Sequence, residues 1–172
     1  MNTALHFAAQ FTKDKKCIQI LLENGADPLS RNRVYETPLD LASRYGKIDF
    51  VTLFLESKSD IISQIYKVGT RPKTSPFHLA ARSGHKEVCR IFVEARVDIN
   101  AFNAEGSTAL HEATQFGKKD VVLYLLEKGA DPSRKNDISQ TPLELFNTFN
   151  KNAHGHVIQK LLMGIFFFFF LL

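Results

Sequence analysis

The stretch Gly106–Asp131, GSTALHEATQFGKKDVVLYLLEKGAD, reads as two short helices separated by a tight turn. Thr108 can cap a helix start by accepting from a free backbone N–H. The run ALHEATQ is short and carries small residues, so neighbouring segments can approach it closely. Gly117 ends that helix by tolerating a left-handed backbone. Asp120 complements the positive end of the next helix, whose apolar residues have helical spacing and which Gly129 closes. A pair this short cannot bury its own apolar face.

Working outward, the same stencil recurs. The starts are TALH at Thr3, TPLD at Thr37, SPFH at Ser75, TALH at Thr108 and TPLE at Thr141, at intervals of 34, 38, 33 and 33 residues. Glycine follows at Gly46, Gly84 and Gly117, and an acid opens the second helix at Asp49, Glu87 and Asp120. Apolar pairs come next: Leu21–Leu22, Phe54–Leu55, Phe92–Val93 and Leu125–Leu126. An aspartate then follows at Asp27, Asp60, Asp98 and Asp131. Pro38, Pro76 and Pro142 suit the first helical position. Self-similarity at this period marks a stacked array in which each unit buries its neighbour's apolar face.

The expected fold is therefore all-α: a solenoid of helix–turn–helix units joined by hairpin-like loops. The repeated residues resemble the ankyrin repeat from Thr3 to about Leu162. Residues 1–162 are expected to form the array, with repeats starting near 3, 37, 75, 108 and 141. The departures from the pattern are local. Copy one has an extra residue and no glycine in its inter-helix turn (FTKD), and copy two carries five extra residues within DIISQIYKVGTRPKT. Lys58 and Arg96 stand where a closing glycine would be. Copy five lacks the closing GAD and reads as a degenerate terminal repeat.

Within that family, SPFHLAARSGHKEV, GSTALHEATQFGKKDVVLYLL and TPLELFNTFN with VIQKLL resemble the last repeats of caskin and Odin-type scaffolds. That resemblance implies a non-enzymatic signalling adaptor. It also implies that the chain is a fragment of a longer protein carrying further modules.

The chain has 172 residues, of which 44% are hydrophobic and 23% charged, close to the globular average. Its net charge of +4 comes without any dense Lys/Arg block, so no nucleic-acid partner is expected. Cys17 and Cys89 have no metal-ligand spacing and read as reduced, buried residues, which favours a cytoplasmic setting. No secretory leader pattern opens the sequence. The final stretch MGIFFFFFLL, residues 163–172, is too short to span a bilayer core of about 30 Å. It is expected not to be a native folded segment.

The chemistry-bearing residues favour structure over catalysis. His6, His78 and His111 share one repeat position, held by Asp40 and Glu144 in the other copies. A side chain there is expected to tie its helix start to the adjoining loop, with the Thr or Ser hydroxyl as one partner. His154 and His156 lie in the irregular turn of copy five, with no further zinc ligands nearby in sequence. No phosphate loop or hydrolase motif occurs, so no catalytic residue, cofactor or metal is expected.

Binding is expected on the concave face, where Arg31, Arg33, Lys67, Arg71, Lys73, Arg134 and Lys135 lie in loops. Arg44, Tyr45, Arg82 and Phe116 end the first helices. Such a strip suits an acidic or phosphorylated segment of another protein, with the array itself monomeric. The competing readings are a membrane-associated adaptor using the basic face or the tail, a substrate-recruiting arm of a ubiquitin ligase, and an enzyme whose site lies outside this chain.

Overall fold

The computed structural model describes residues 1–12, 14–57, 65, 75–149 and 158–164. Helices come in pairs: α1 (Ala4–Phe11) with α2 (Lys15–Glu23), and α3 (Pro38–Arg44) with α4 (Ile48–Ser57). Next come α5 (Pro76–Ser83) with α6 (Lys86–Glu94), and α7 (Ala109–Gln115) with α8 (Lys119–Glu127). Last is α9 (Pro142–Phe149), followed by a helical stretch at 158–164. The first helices stack in the order α1, α3, α5, α7, α9, and the second helices α2, α4, α6, α8 form a parallel row. The expected solenoid is what forms.

Small side chains set its curvature. Ala8, Ala42, Ala80 and Ala113 occupy one column of the first helices, and Ala9, Ser43, Ala81 and Thr114 the next; all are buried. With so little side chain between them, the first helices pack more closely than the second helices do, so their row is the inside of the curve. Leu5, Leu39, Phe77 and Leu110 fill the gap between the two rows and are fully covered.

The second helices close with a left-handed residue. Gly25 (φ 79), Arg96 (φ 62) and Gly129 (φ 89) hold equivalent places after α2, α6 and α8. The following amide reaches back five residues in each case: Ala26 N–H to the Leu21 carbonyl, Val97 to Phe92, Ala130 to Leu125. This is a Schellman closure, and a Cβ in that conformation costs about 1 kcal/mol. Arg96→Gly is therefore expected to stabilise the array by about 1 kcal/mol, read as an upward shift of the urea midpoint.

The cysteine expectation holds for one residue and fails for the other. Cys89 is buried, but Cys17 is exposed. Its counterparts in the next three units, Phe50, Val88 and Val121, are covered. Phe50 lines a crevice with Thr12 and Ile18 of the preceding unit. Cys17 sits on α2, the first helix of its row, so no second helix among the described residues covers it. Burial also pushes the Cys89 thiol up to about 12, which removes its thiolate at neutral pH. A thiol reagent is expected to label Cys17 alone in the folded chain and both cysteines in denaturant, read by mass spectrometry.

The last unit has its own small core of Phe146, Ile158 and Leu162 against Leu126 and Leu143. Its second helix runs through 163 and 164, past the expected boundary at 162; the remaining tail, 165–172, lies outside the described residues.

Candidate functional site

The loops are fixed to the concave helices by the histidine column. In the first unit, His6 Nδ1 lies 2.8 Å from Thr3 Oγ1, and Nε2 lies 2.9 Å from the Glu36 carbonyl of the next loop. In the fourth unit, His111 Nδ1 lies 2.9 Å from Thr108 Oγ1, and Nε2 lies 3.0 Å from the Gln140 carbonyl. A carbonyl only accepts, so Nε2 carries the proton and Nδ1 remains an acceptor for the Thr N–H and hydroxyl. A neutral imidazole thus caps its own helix and clamps the following loop.

Asp40 and Glu144 reproduce the capping half of this arrangement. Asp40 Oδ2 accepts from Thr37 N–H at 2.8 Å and from its hydroxyl at 2.9 Å. Glu144 Oε2 does the same for Thr141 at 2.7 and 3.0 Å, and these bonds hold its carboxyl below the usual range. A carboxylate cannot donate to the next loop as imidazole does. His78 departs in the other direction. Its Nε2 donates to the Ala101 carbonyl at 3.0 Å, but its buried Nδ1 has no hydrogen-bond partner among the described residues, and Ser75 makes no side-chain cap bond. The expected Ser hydroxyl partnership is absent there.

An asparagine column shapes the loop tips. The Oδ1 atoms of Asn32, Asn103 and Asn136 each accept two backbone N–H groups. These come from Val34 and Glu36, Glu105 and Ser107, and Ile138 and Gln140, all at 2.9–3.2 Å. These asparagines were not anticipated, although Asn recurs five positions before Thr37, Thr108 and Thr141 in the sequence.

On the concave face itself, the position eight residues after each unit's first Thr or Ser is held by Phe11, Tyr45, Ser83, Phe116 and Phe149. The four rings are 69%, 44%, 39% and 61% exposed. Tyr45 and Phe116 were anticipated; Phe11 and Phe149 were not, though alignment of the five copies displays the column. The residues just before them are Gln10, Arg44, Arg82, Gln115 and Thr148. Gln10 Nε2 donates to Tyr45 Oη at 3.3 Å, and the Arg82 guanidinium lies 4.2 Å above the Phe116 ring.

The structure brings part of the anticipated basic strip together. Arg33, Arg44 and Tyr45 line one groove of about 380 Å³ with Gln10, Asn32 and Leu41. Arg44 is paired with Glu36, and Arg31 donates to the Tyr35 carbonyl at 3.1 Å. Arg134 sits 3.4 Å from Asp131 and 5.6 Å from the centre of Phe102, away from that groove. Arg33 and Lys135 are exposed. Lys67, Arg71 and Lys73, like His154 and His156, lie outside the described residues.

One acid is unusual. Glu112 is only 6% exposed in a column otherwise holding Phe7, Leu41, Leu79 and Leu145. Its Oε1 accepts from Asn103 Nδ2 at 3.0 Å, while Oε2 has no hydrogen-bond partner among the described residues. Burial pushes its carboxyl up, opposed by the nearby Arg82. Among the described residues no His, Cys, Asp and Glu side chains gather as metal ligands, and no helix is long and apolar enough to cross a membrane.

Comparison with known proteins agrees with this geometry. A family model for ankyrin repeats (three copies) matches residues 1–65 and 58–136. The chain belongs to the ankyrin-repeat family. It is 30% identical over 145 residues to human neurogenic locus notch homolog protein 1, covering 84% of this chain and 5% of that protein. It is 32% identical over 126 residues to the Caenorhabditis elegans homolog of transient receptor potential cation channel subfamily A member 1, covering 73% of this chain and 10% of that one. It is also 30% identical over 121 residues to a putative ankyrin repeat protein of fowlpox virus, covering 70% of this chain and 80% of that one. The chain thus spans a small part of the first two relatives. Ankyrin repeats are protein-interaction modules, and the solenoid described above has the form of one.

Proposed function

We propose that this ankyrin array is the partner-docking module of a signalling or scaffold adaptor, working without catalysis by holding a segment of another protein on its concave face. The observation that carries this reading is the column of exposed rings, Phe11, Tyr45, Phe116 and Phe149, on rigid stacked helices. Apolar rings left open in register along a curved face are what an interface core needs. The resemblance of copies three to five to caskin and Odin-type scaffolds supports the adaptor setting. An exposed free thiol at Cys17 suits the reducing cytoplasm.

The basic residues have a secondary part in this reading. Arg44 already has Glu36 as its partner, and Arg82 covers Phe116. Arg33 is the exposed cation at the rim of the groove, placed to steer an acidic or phosphorylated segment rather than to supply most of its affinity. Affinity capture with the whole chain tests the proposal. Tyr45→Ala with Phe116→Ala is expected to lose the partners that the wild type retains, at unchanged helical content. Arg33→Glu is expected to slow association and flatten its dependence on salt. An identical partner set on wild type and ring variant contradicts the proposal.

A further inference from the structure

Resting on that reading, we propose that the ring column is a track for a proline-rich segment in polyproline II conformation, with acidic residues between its apolar contacts. Packed helices lie about 8–10 Å apart, so successive units offer rungs at that interval along the concave face. A polyproline II helix returns to the same face every third residue, about 9 Å along its axis. An extended β-strand presents one face every second residue, about 6.7 Å, and falls out of register with the rungs at once.

The column beside the rings separates this ligand from an α-helix. Gln10, Arg44, Arg82 and Gln115 each precede a rung position and each carries N–H donors. A polyproline II segment makes no internal hydrogen bonds and leaves its carbonyls facing outward, where such donors meet them. An α-helix has already bonded its carbonyls internally. The donor column would then face side chains alone.

Charge supplies the remaining requirement. Neither the ring column nor the donor column contains an acid. Glu36 is taken up by Arg44, and Glu112 is buried beneath the face. Arg33 and Arg82 are left beside the track, complementary to Glu or Asp at the ligand positions that point away from the rings. The third unit has Ser83 in place of a ring, and Arg82 lies across to Phe116, so the track is divided there. The full run from Phe11 to Phe149 takes roughly 12 residues of such a segment.

An array of short peptides tests this with the whole chain. One set carries Pro-Pro-Leu and Pro-Pro-Tyr frames with Glu at varied positions. A second set replaces each proline by glycine, and a third places the same apolar residues in a helical heptad. Binding is read by fluorescence anisotropy for wild type, Tyr45→Ala with Phe149→Ala, and Arg33→Glu. Because the substituted rings are exposed, circular dichroism serves to verify the fold of each variant. The expected result is that proline frames with Glu bind at least tenfold more tightly than their glycine counterparts, and that the ring variant removes the difference. Ring-dependent binding of the heptad or glycine sets at equal or higher affinity overturns the polyproline assignment and leaves the concave-face reading standing. No ring-dependent binding in any set overturns the assignment as well, and the capture comparison above then decides the docking reading separately.

Discussion

Replacing His111 by alanine is expected to lower the unfolding free energy of the array by about 3 kcal/mol. The substitution removes three things at once. Thr108 N–H and its hydroxyl lose their acceptor Nδ1, at 3.1 and 2.9 Å. The Gln140 carbonyl loses the Nε2 donor at 3.0 Å. A fully buried ring leaves a void between the fourth and fifth units. His111→Asp separates the contributions, since Asp40 shows that a carboxylate retains the cap. It is expected to recover roughly half of the loss. Urea unfolding followed by circular dichroism measures both, with an alanine variant that unfolds at the wild-type midpoint contradicting the account. Because stability in a solenoid resides in unit–unit coupling, the alanine variant should also broaden the transition as the last unit melts ahead of the others.

Acid is the second large effect. Burial lowers His78 from 6.5 to about 4, and it lowers His111 in the same direction. The native state therefore holds these rings neutral while the unfolded chain protonates them near pH 6.5. Between 6.5 and about 4 the unfolded state binds the extra proton, so stability falls as pH falls, and His78's contribution is fully lost below its folded value. For His78 alone the loss approaches about 3 kcal/mol. Protonation at Nδ1 would also put an N–H against Thr108 in the fourth unit, where an acceptor is needed. Unfolding free energies at pH 7.5, 5.5 and 4.5 are expected to decline in that order. His78→Gln should flatten most of the slope, and a slope unchanged by that substitution removes His78 as its source.

How much of this could be read beforehand depends on the reach of each interaction. The units, the threonine caps and the linking role of the histidines were legible, because Thr, His and Gly act within one repeat or on the loop that follows it. The exposure of Cys17 was not, since its apolar pattern matches Phe50, Val88 and Val121 and what distinguishes it is that no second helix among the described residues covers it. The charge strip was legible as composition but not as chemistry. Arg44 meets Glu36, and Arg82 meets Phe116 from the next unit, pairings that linear order does not display. Phe11 and Phe149 were open to reading by alignment of the copies. Their significance as rungs appears only once the first helices are seen to form the inside of the curve.

The most direct test of the docking claim places a photo-crosslinking amino acid at one position at a time in the whole chain. Position 45 lies in the ring column, and position 19 lies on the exposed surface of α2. Irradiation in the presence of a captured partner, followed by mass spectrometry, should yield adducts from position 45 and none from position 19. Adducts from position 19 with none from 45 would place the partner on the outer helices and contradict the concave-face account.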